Sequence, residues 1–189
     1  MAAAAAAKHS EMADRAAAIG AIRGDLWAEA AFAHAQSLWG SAGSGTSARE
    51  SVQRPREELE RAARYAPHRS DAWLLIAGFA QRFALAEFDP MEALRMSYYT
   101  GSSEMRLVPL RLMIAIKRNG FDDAELHELI RHDIRLLLGQ KQIAPISAAY
   151  MEASAKGKDF LVQTVRDMDP SAVDTVQSGT KRRKDPVAD

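Results

Sequence analysis

The stretch from Gly40 to Ser51, GSAGSGTSARES, has the glycine spacing of a phosphate-binding loop. Four residues separate Gly40 from Gly45-Thr46-Ser47, at the place where the motif GxxxxGK[ST] has its glycine, lysine and hydroxyl residue. The lysine is missing, and the preceding AEAAFAHAQSLW is typical of a helix, whereas a phosphate-binding loop follows a strand. We therefore interpret residues 40–51 as a mobile Gly/Ser surface insertion rather than a nucleotide site.

The stretch HELIRHD, His127 to Asp133, is similar to the zinc-binding motif HExxH, but its histidines are five residues apart. At about 100° per residue, such a pair lies roughly 140° apart around a helix, so the two rings cannot converge on one metal ion. We expect a solvated polar face and no metal site. Cysteine is absent, and no serine lies in a nucleophile elbow or beside a spaced base, so we expect no catalytic residue, no cofactor and no enzyme.

The charge distribution predicts neither a nucleic acid partner nor insertion into a membrane. Lys and Arg together number 25, as do Asp and Glu, so there is no net field to attract a polyanion. The basic run Lys181 to Lys184 is interpreted as part of a solubilising tail. No stretch approaches the roughly 18 apolar residues of a membrane span. We expect a cytoplasmic protein, with the reservation that an anchor preceding Met1 would not be visible here.

An internal repeat indicates the elements that would position these residues. RAAAIGAIRGDLW, Arg15 to Trp27, aligns with RAARYAPHRSDAW, Arg61 to Trp73, at an offset of 46 residues. A weaker copy, RMSYYTGSSEMRL, begins 34 residues later at Arg95. Subtracting 34 from 46 leaves 12, which is the length of the insertion at residues 40–51. The aromatic residues that recur in the copies, Trp27, Trp73, Tyr65 and Tyr99, are expected in the core.

The 34-residue period and the motif LERAARYAPHRSDAWLLIAGFA resemble the tetratricopeptide-repeat superfamily. Ala62, Pro67, Trp73 and Ile76 look like its small, turn, large and aliphatic positions. Ala21 and Gly101 replace the turn proline in the other copies, so the count is two repeats and a degenerate third. The resemblance implies an all-α fold, a TPR-like array of antiparallel helix hairpins with two to three repeats.

The sequence after Gly120 predicts a C-terminal helical cap for this array. Asp122 and Glu125 have capping-box spacing, and an apolar stripe follows in DDAELHELIRHDIRLLLG. Further helices are predicted at Pro145 to Ala153 and Lys156 to Met168. The expected organisation is residues 1–120 for the repeats, 121–176 for the cap, packed on LVPLRLMIAI, and 177–189 for a disordered basic tail.

The resemblance also implies a partner-binding groove lined by the first helices of the repeats. Its expected members are Asp25, Phe32, Gln36, Asp71, Leu74, Gln81, Arg82, Met105 and Leu112. Such a groove would hold a peptide or a partner protein, unless the cap fills its apolar end, and exposed apolar residues there would favour a homodimer. The recurring Arg23/Asp25 and Arg69/Asp71 pairs are interpreted as structural.

These expectations predict a non-catalytic interaction scaffold, an accessory to a bacterial multiprotein assembly. An alternative stays open. The tyrosine-rich third copy and the helical tail also resemble bacterial helical-repeat proteins associated with polysaccharide production. Together with the Gly45-Thr46-Ser47 stretch, this would make the chain an accessory of polysaccharide production or part of an enzyme acting on a nucleotide or saccharide.

Overall fold

A computed structural model describes residue 9 and residues 11–16, 23–40, 46–83 and 88–179, with backbone alone at 34–40 and 46–52. These residues form α-helices, short 3-10 helices and connecting segments, and no β-strand occurs among them. The all-α expectation is therefore confirmed. The chain divides into two compact units, one that ends at Ser102 and one that begins at Ser103.

The first unit contains α1 (Gly24–Gly40), α2 (Thr46–Tyr65), α3 (Ser70–Phe83) and α4 (Pro90–Gly101), and residues 11–16 are also helical. Helix α1 packs along α2, and α3 packs along α4. In each pair, the first residue of one helix lies near the end of the other. Gly24, at the start of α1, lies against Ala66, just after α2. At the start of α3, the carbonyl of Ser70 accepts a hydrogen bond from the Ser97 hydroxyl of α4 at 2.8 Å. Both pairs are therefore antiparallel hairpins.

Small and apolar side chains fill the core of the first unit. Ala30, Ala31 and Ala62 are fully buried, so α1 and α2 approach closely, and the Trp27 ring lies beneath the Arg61 guanidinium at 4.5 Å. On α3, Ile76, Ala77 and Ala80 share one buried helix face. Trp73, one turn before Ile76, is half-buried, and its indole N–H donates to the carbonyl of Pro67 at 2.8 Å. Trp27 is thus a core residue, as expected from the repeat, whereas Trp73 is only partly buried.

The second unit contains α5 (Val108–Lys117), a 3-10 turn (Gly120–Asp122), α6 (Ala124–Gly139), α7 (Ile143–Glu152), α8 (Ala155–Met168), a second 3-10 turn (Pro170–Ala172) and α9 (Val173–Ser178). Helix α5 packs on α6 and α7. Its core is a set of fully buried aliphatic side chains: Leu112, Leu126, Ile130, Ile134, Leu137, Ile146, Leu161, Val165 and Val176. Two charged side chains, Arg111 and Asp133, are also completely buried there.

Several helix boundaries confirm the signals in the sequence. The Asp89 carboxylate accepts a hydrogen bond from Met91 N at 2.8 Å, and Pro90 occupies the first turn of α4, where its missing N–H costs nothing. Pro109 likewise lies in the first turn of α5 and does not kink it. Asn119, after the end of α5, has a positive φ of 53°, a left-handed conformation that commonly ends a helix at Gly or Asn.

Other expectations need correction. The insertion predicted at residues 40–51 is shorter, because Gly40 ends α1 and Thr46–Ser51 belong to α2, which leaves residues 41–45 outside the described part. Asp122 does not cap α6. Asp123 does, accepting hydrogen bonds from Glu125 N and Leu126 N, since its backbone is extended as an N-cap requires.

The division into units also differs from the repeat pattern, which assigns α5 to a third repeat within residues 1–120. Helix α5 belongs to the second unit because its apolar face is covered by α6 and α7. The predicted tail begins inside α9, which extends to Ser178, and Lys181 to Asp189 lie outside the described residues.

Candidate functional site

The recurring Arg and Asp residues of the first unit form the same ion pair twice. Arg23 donates from Nε and Nη2 to the two carboxylate oxygens of Asp25, at 3.2 and 2.5 Å. Arg69 makes the equivalent pair with Asp71, at 2.9 and 2.5 Å. The hydrogen bond from Arg23 lowers the pKa of Asp25, and the hydrogen bond with Asp71 raises the pKa of Arg69. Each carboxylate is thus paired with the arginine of its own copy of the repeat.

Arg69 has a further role, because it joins the two hairpins. Its guanidinium donates to the backbone carbonyl of Asp25 at 3.4 Å and lies 3.6 Å from the Glu29 carboxylate on α1. Its side chain is 22% exposed, whereas that of Arg23 is 63% exposed. The Arg69–Asp71 pair therefore connects the two hairpins, which the Arg23–Asp25 pair does not do. This agrees with the structural interpretation of these residues.

The predicted groove residues lie in different environments. Leu74 and Leu112 are buried to 1% and 0% exposure, so they pack in the cores of their units and offer no surface to a partner. The expectation that both residues line the groove is therefore wrong, because α3 and α5 pack against neighbouring helices through these positions. Met105 is half-buried and belongs to the second unit, and the Gln36 side chain lies outside the described residues.

Among the predicted groove residues, Phe32 on α1 and Gln81 and Arg82 on α3 have side chains that are at least partly exposed to solvent. Phe32 is 46% exposed, although its neighbours Ala31 and Ala33 are buried. Gln81 is half-buried, and the exposed Arg82 guanidinium lies 5.7 Å from the Phe83 ring centre. An aromatic ring on α1 and an amide and a cation on α3 thus remain at least partly accessible to solvent.

Tyr65 and Tyr99 are not core residues, contrary to the expectation from the repeat. They are 44% and 57% exposed. Tyr65 is the last residue of α2 and Tyr99 lies near the end of α4, and the inward positions beside them are taken by Ala66 and Tyr98. Among the described residues of the first unit, Phe32, Tyr65 and Tyr99 are thus aromatic side chains with more than 40% of their surface in solvent.

A depression of about 440 Å³ lies in the second unit, between α6, α8 and the turn at Gly120–Asp122. We call it the α6/α8 depression; its lining residues are Phe121, His127, Arg131, Lys156, Asp159, Phe160, Gln163 and Thr164. Phe121 and Phe160 stack at 4.8 Å between ring centres with an interplanar angle of 11°, and the His127 and Phe160 rings lie 5.2 Å apart at an interplanar angle of 65°. An aromatic cluster thus forms one wall.

Helical spacing brings the polar lining together. His127 and Arg131 are four residues apart on α6, and Lys156, Asp159, Phe160 and Gln163 follow at i, i+3, i+4 and i+7 on α8, so each set shares one helix face. The hydroxyl of Ser154 accepts from Gly157 N and caps α8, which fixes where that face begins. The lining therefore follows from two regular helices and their turn.

The HELIRHD stretch is only partly the solvated face expected from the sequence. His127 packs against Phe160, with Nδ1 3.1 Å from the Glu128 carboxylate, and Asp133 is completely buried in the core. The spacing of five residues explains the difference, because it lets His127 and His132 face different neighbours. The signal missed in the sequence was His127 with Arg131 at i, i+4, together with the matching face of α8.

Within the part of the chain that the structure describes, no three His, Asp or Glu side chains are grouped as metal ligands would be. None of the helices in the described ranges is long and apolar enough to cross a bilayer.

No protein-family model, curated protein or solved structure matches this chain.

Proposed function

We propose that this chain is a non-catalytic interaction scaffold of the tetratricopeptide type, whose first unit binds a peptide or a partner protein. Two antiparallel hairpins, each opened by the same Arg–Asp pair, support the tetratricopeptide interpretation. The scaffold would act as an accessory to a larger bacterial assembly.

Exposed Phe32 is the observation that carries the proposal. A helix packed through alanines has no need of a large aromatic side chain in water, and burying such a side chain against a partner removes apolar surface from solvent. Aromatic and arginine side chains supply much of the binding energy at protein interfaces. Phe32, together with Arg82, therefore suits a partner segment that carries an apolar residue and a carboxylate.

Crosslinking mass spectrometry after a gentle affinity capture tests this proposal. The intact chain is compared with the variant Phe32→Ala, Gln81→Ala, Arg82→Ala, after circular dichroism shows that both are folded. We expect a partner that crosslinks to α1 or α3 in the intact chain and is lost from the triple variant.

The matched control is Leu110→Ala, Met151→Ala, which removes the exposed large apolar residues of the second unit, 41% and 63% exposed. This control should retain the partner. Partners that persist in the folded triple variant, or that are lost from the control alone, would show that the first unit is not the working surface.

A further inference from the structure

We propose that the α6/α8 depression is a second binding site, for a small molecule in which an oxyanion is joined to a planar apolar group. The site lies entirely within the second unit and goes beyond the partner binding proposed for the first. Its volume of about 440 Å³ falls within the range of about 300–1,000 Å³ typical of small-molecule sites.

Thr164 adds a hydrogen-bonding group to the depression. Its side chain is 1% exposed and lines the depression. A threonine hydroxyl can donate one hydrogen bond and accept others. A ligand oxygen in the depression would accept the hydrogen bond that this hydroxyl can donate.

The charges that line the depression favour an anion. Arg131 and Lys156 are cationic, and Asp159, the acidic member of the lining, is exposed. Lys156 Nζ lies 2.5 Å from the Asp122 carboxylate, and Arg131 Nη1 forms an ion pair with Asp167 at 3.6 Å, which is longer than a hydrogen bond. The Arg131 guanidinium therefore keeps donors for an incoming oxyanion, which it can hold through two parallel hydrogen bonds.

The aromatic wall favours a planar apolar group next to the anion. Phe121 and Phe160 already stack on each other, so a ligand ring would meet the parts of Phe160 and His127 that this stack leaves uncovered. Lys156 Nζ lies 5.8 Å from the Phe121 ring centre, which places a cation beside this wall. A ligand that suits both the cations and the aromatic wall is an aromatic carboxylate or an aromatic phosphate.

A nuclear magnetic resonance titration of the full chain tests the proposal, with phenylacetate and phenyl phosphate as the two probes. We expect at least one of them to give saturable shifts at the amides of His127, Arg131, Phe160 and Thr164. Acetate and inorganic phosphate, which lack the ring, should bind at least about tenfold more weakly, as should benzylamine, which has the opposite charge. The probe that binds more tightly identifies the oxyanion as carboxylate or phosphate.

Two variants and one control decide whether the depression is responsible. Arg131→Gln should weaken the binding of the tighter probe at least about tenfold, because a hydrogen-bonded charge pair is lost. Thr164→Val, which keeps the shape and removes the hydroxyl, should weaken it several-fold. Arg135→Gln, an exposed arginine one turn further along α6 that does not line the depression, should change nothing.

The proposal is overturned if neither probe saturates below about 10 mM, or if benzylamine binds as tightly as the anions. It is also overturned if Arg131→Gln and Thr164→Val both bind the probes as the unaltered chain does. Each of these results leaves the crosslinking test of the first unit unaffected, so the two proposals fail separately.

Discussion

Glu58 is a buried acid whose surroundings disfavour its negative charge. It lies on α2 with 3% of its surface exposed. Burial, and then the charge of Asp14 beside it, raise the pKa of Glu58 from an ordinary 4.5 to about 8, against the opposing effect of Arg54, whose Nε lies 3.5 Å from the Glu58 carboxylate. Arg54 also forms an ion pair with Asp14, so one cation serves two carboxylates.

This raised pKa predicts that the first unit loses stability as the pH rises. The folded chain binds a proton at Glu58 that the unfolded chain releases above about pH 4.5, so the contribution of Glu58 is fully present below that pH and is lost up to about pH 8. The difference is on the order of a few kcal/mol. Glu58→Gln, which imitates the protonated acid, should flatten this dependence and stabilise the unit at pH 8.

Urea denaturation at pH 5, 6.5 and 8 measures the effect. Glu57→Gln is the control, because Glu57 is the neighbouring residue on α2 but is exposed. The control should keep the slope of the unaltered chain. If Glu58→Gln keeps that slope too, Glu58 is ionised in the folded chain and the argument from its burial is wrong.

At the scale of the helices, Gly24 shows how closely the first hairpin is closed. A Cβ added at Gly24 would lie 2.4 Å from Ala66 N and 2.5 Å from Ala66 Cβ, both closer than van der Waals contact allows. We therefore predict that Gly24→Ala destabilises the first unit by about 2 kcal/mol, despite the higher helix propensity of alanine. Thermal unfolding followed by circular dichroism measures the change.

Gly139, the last residue of α6, is the matched control for this substitution. A Cβ added there meets nothing within 4 Å, so propensity alone should decide the outcome. We expect Gly139→Ala to be neutral or to stabilise by up to about 1 kcal/mol. If the two variants shift the melting temperature equally, α1 does not approach Ala66 as closely as described.

Local signals in the sequence predicted the helices well, and tertiary packing explains where they did not. Asp89-Pro90 and Asn119-Gly120 specify helix ends through a side-chain cap and a left-handed backbone, which neighbouring residues alone determine. Exposure of Tyr65 and burial of Leu74 depend on which helix covers each position, and repeat spacing does not contain that information. The α6/α8 depression was missed for the same reason, because its residues come from three elements.

At the scale of the whole molecule, the third copy of the repeat marks the change between the two units. The positions that hold Arg69 and Asp71 in the second copy are Ser103 and Met105 in the third, so the recurring ion pair is lost there. The second unit begins at that place, and α5 contributes Leu112 and Ile116 to its core. The repeat spacing predicts a boundary at Gly120 instead. That boundary would separate α5 from α6 and α7, which cover its apolar face.

Two fragments distinguish these boundaries. Residues 103–189 retain α5 and the whole buried aliphatic set of the second unit, whereas residues 121–189 lose Leu112, Ile114 and Ile116, which are at most 3% exposed. Removing one such side chain from a core costs about 2–5 kcal/mol, and a domain of this size has little stability to spare. We therefore expect the longer fragment to unfold cooperatively in urea and the shorter one to lack a cooperative transition. Cooperative unfolding of residues 121–189 with a similar midpoint would mean that α5 is dispensable and that the second unit begins at Gly120.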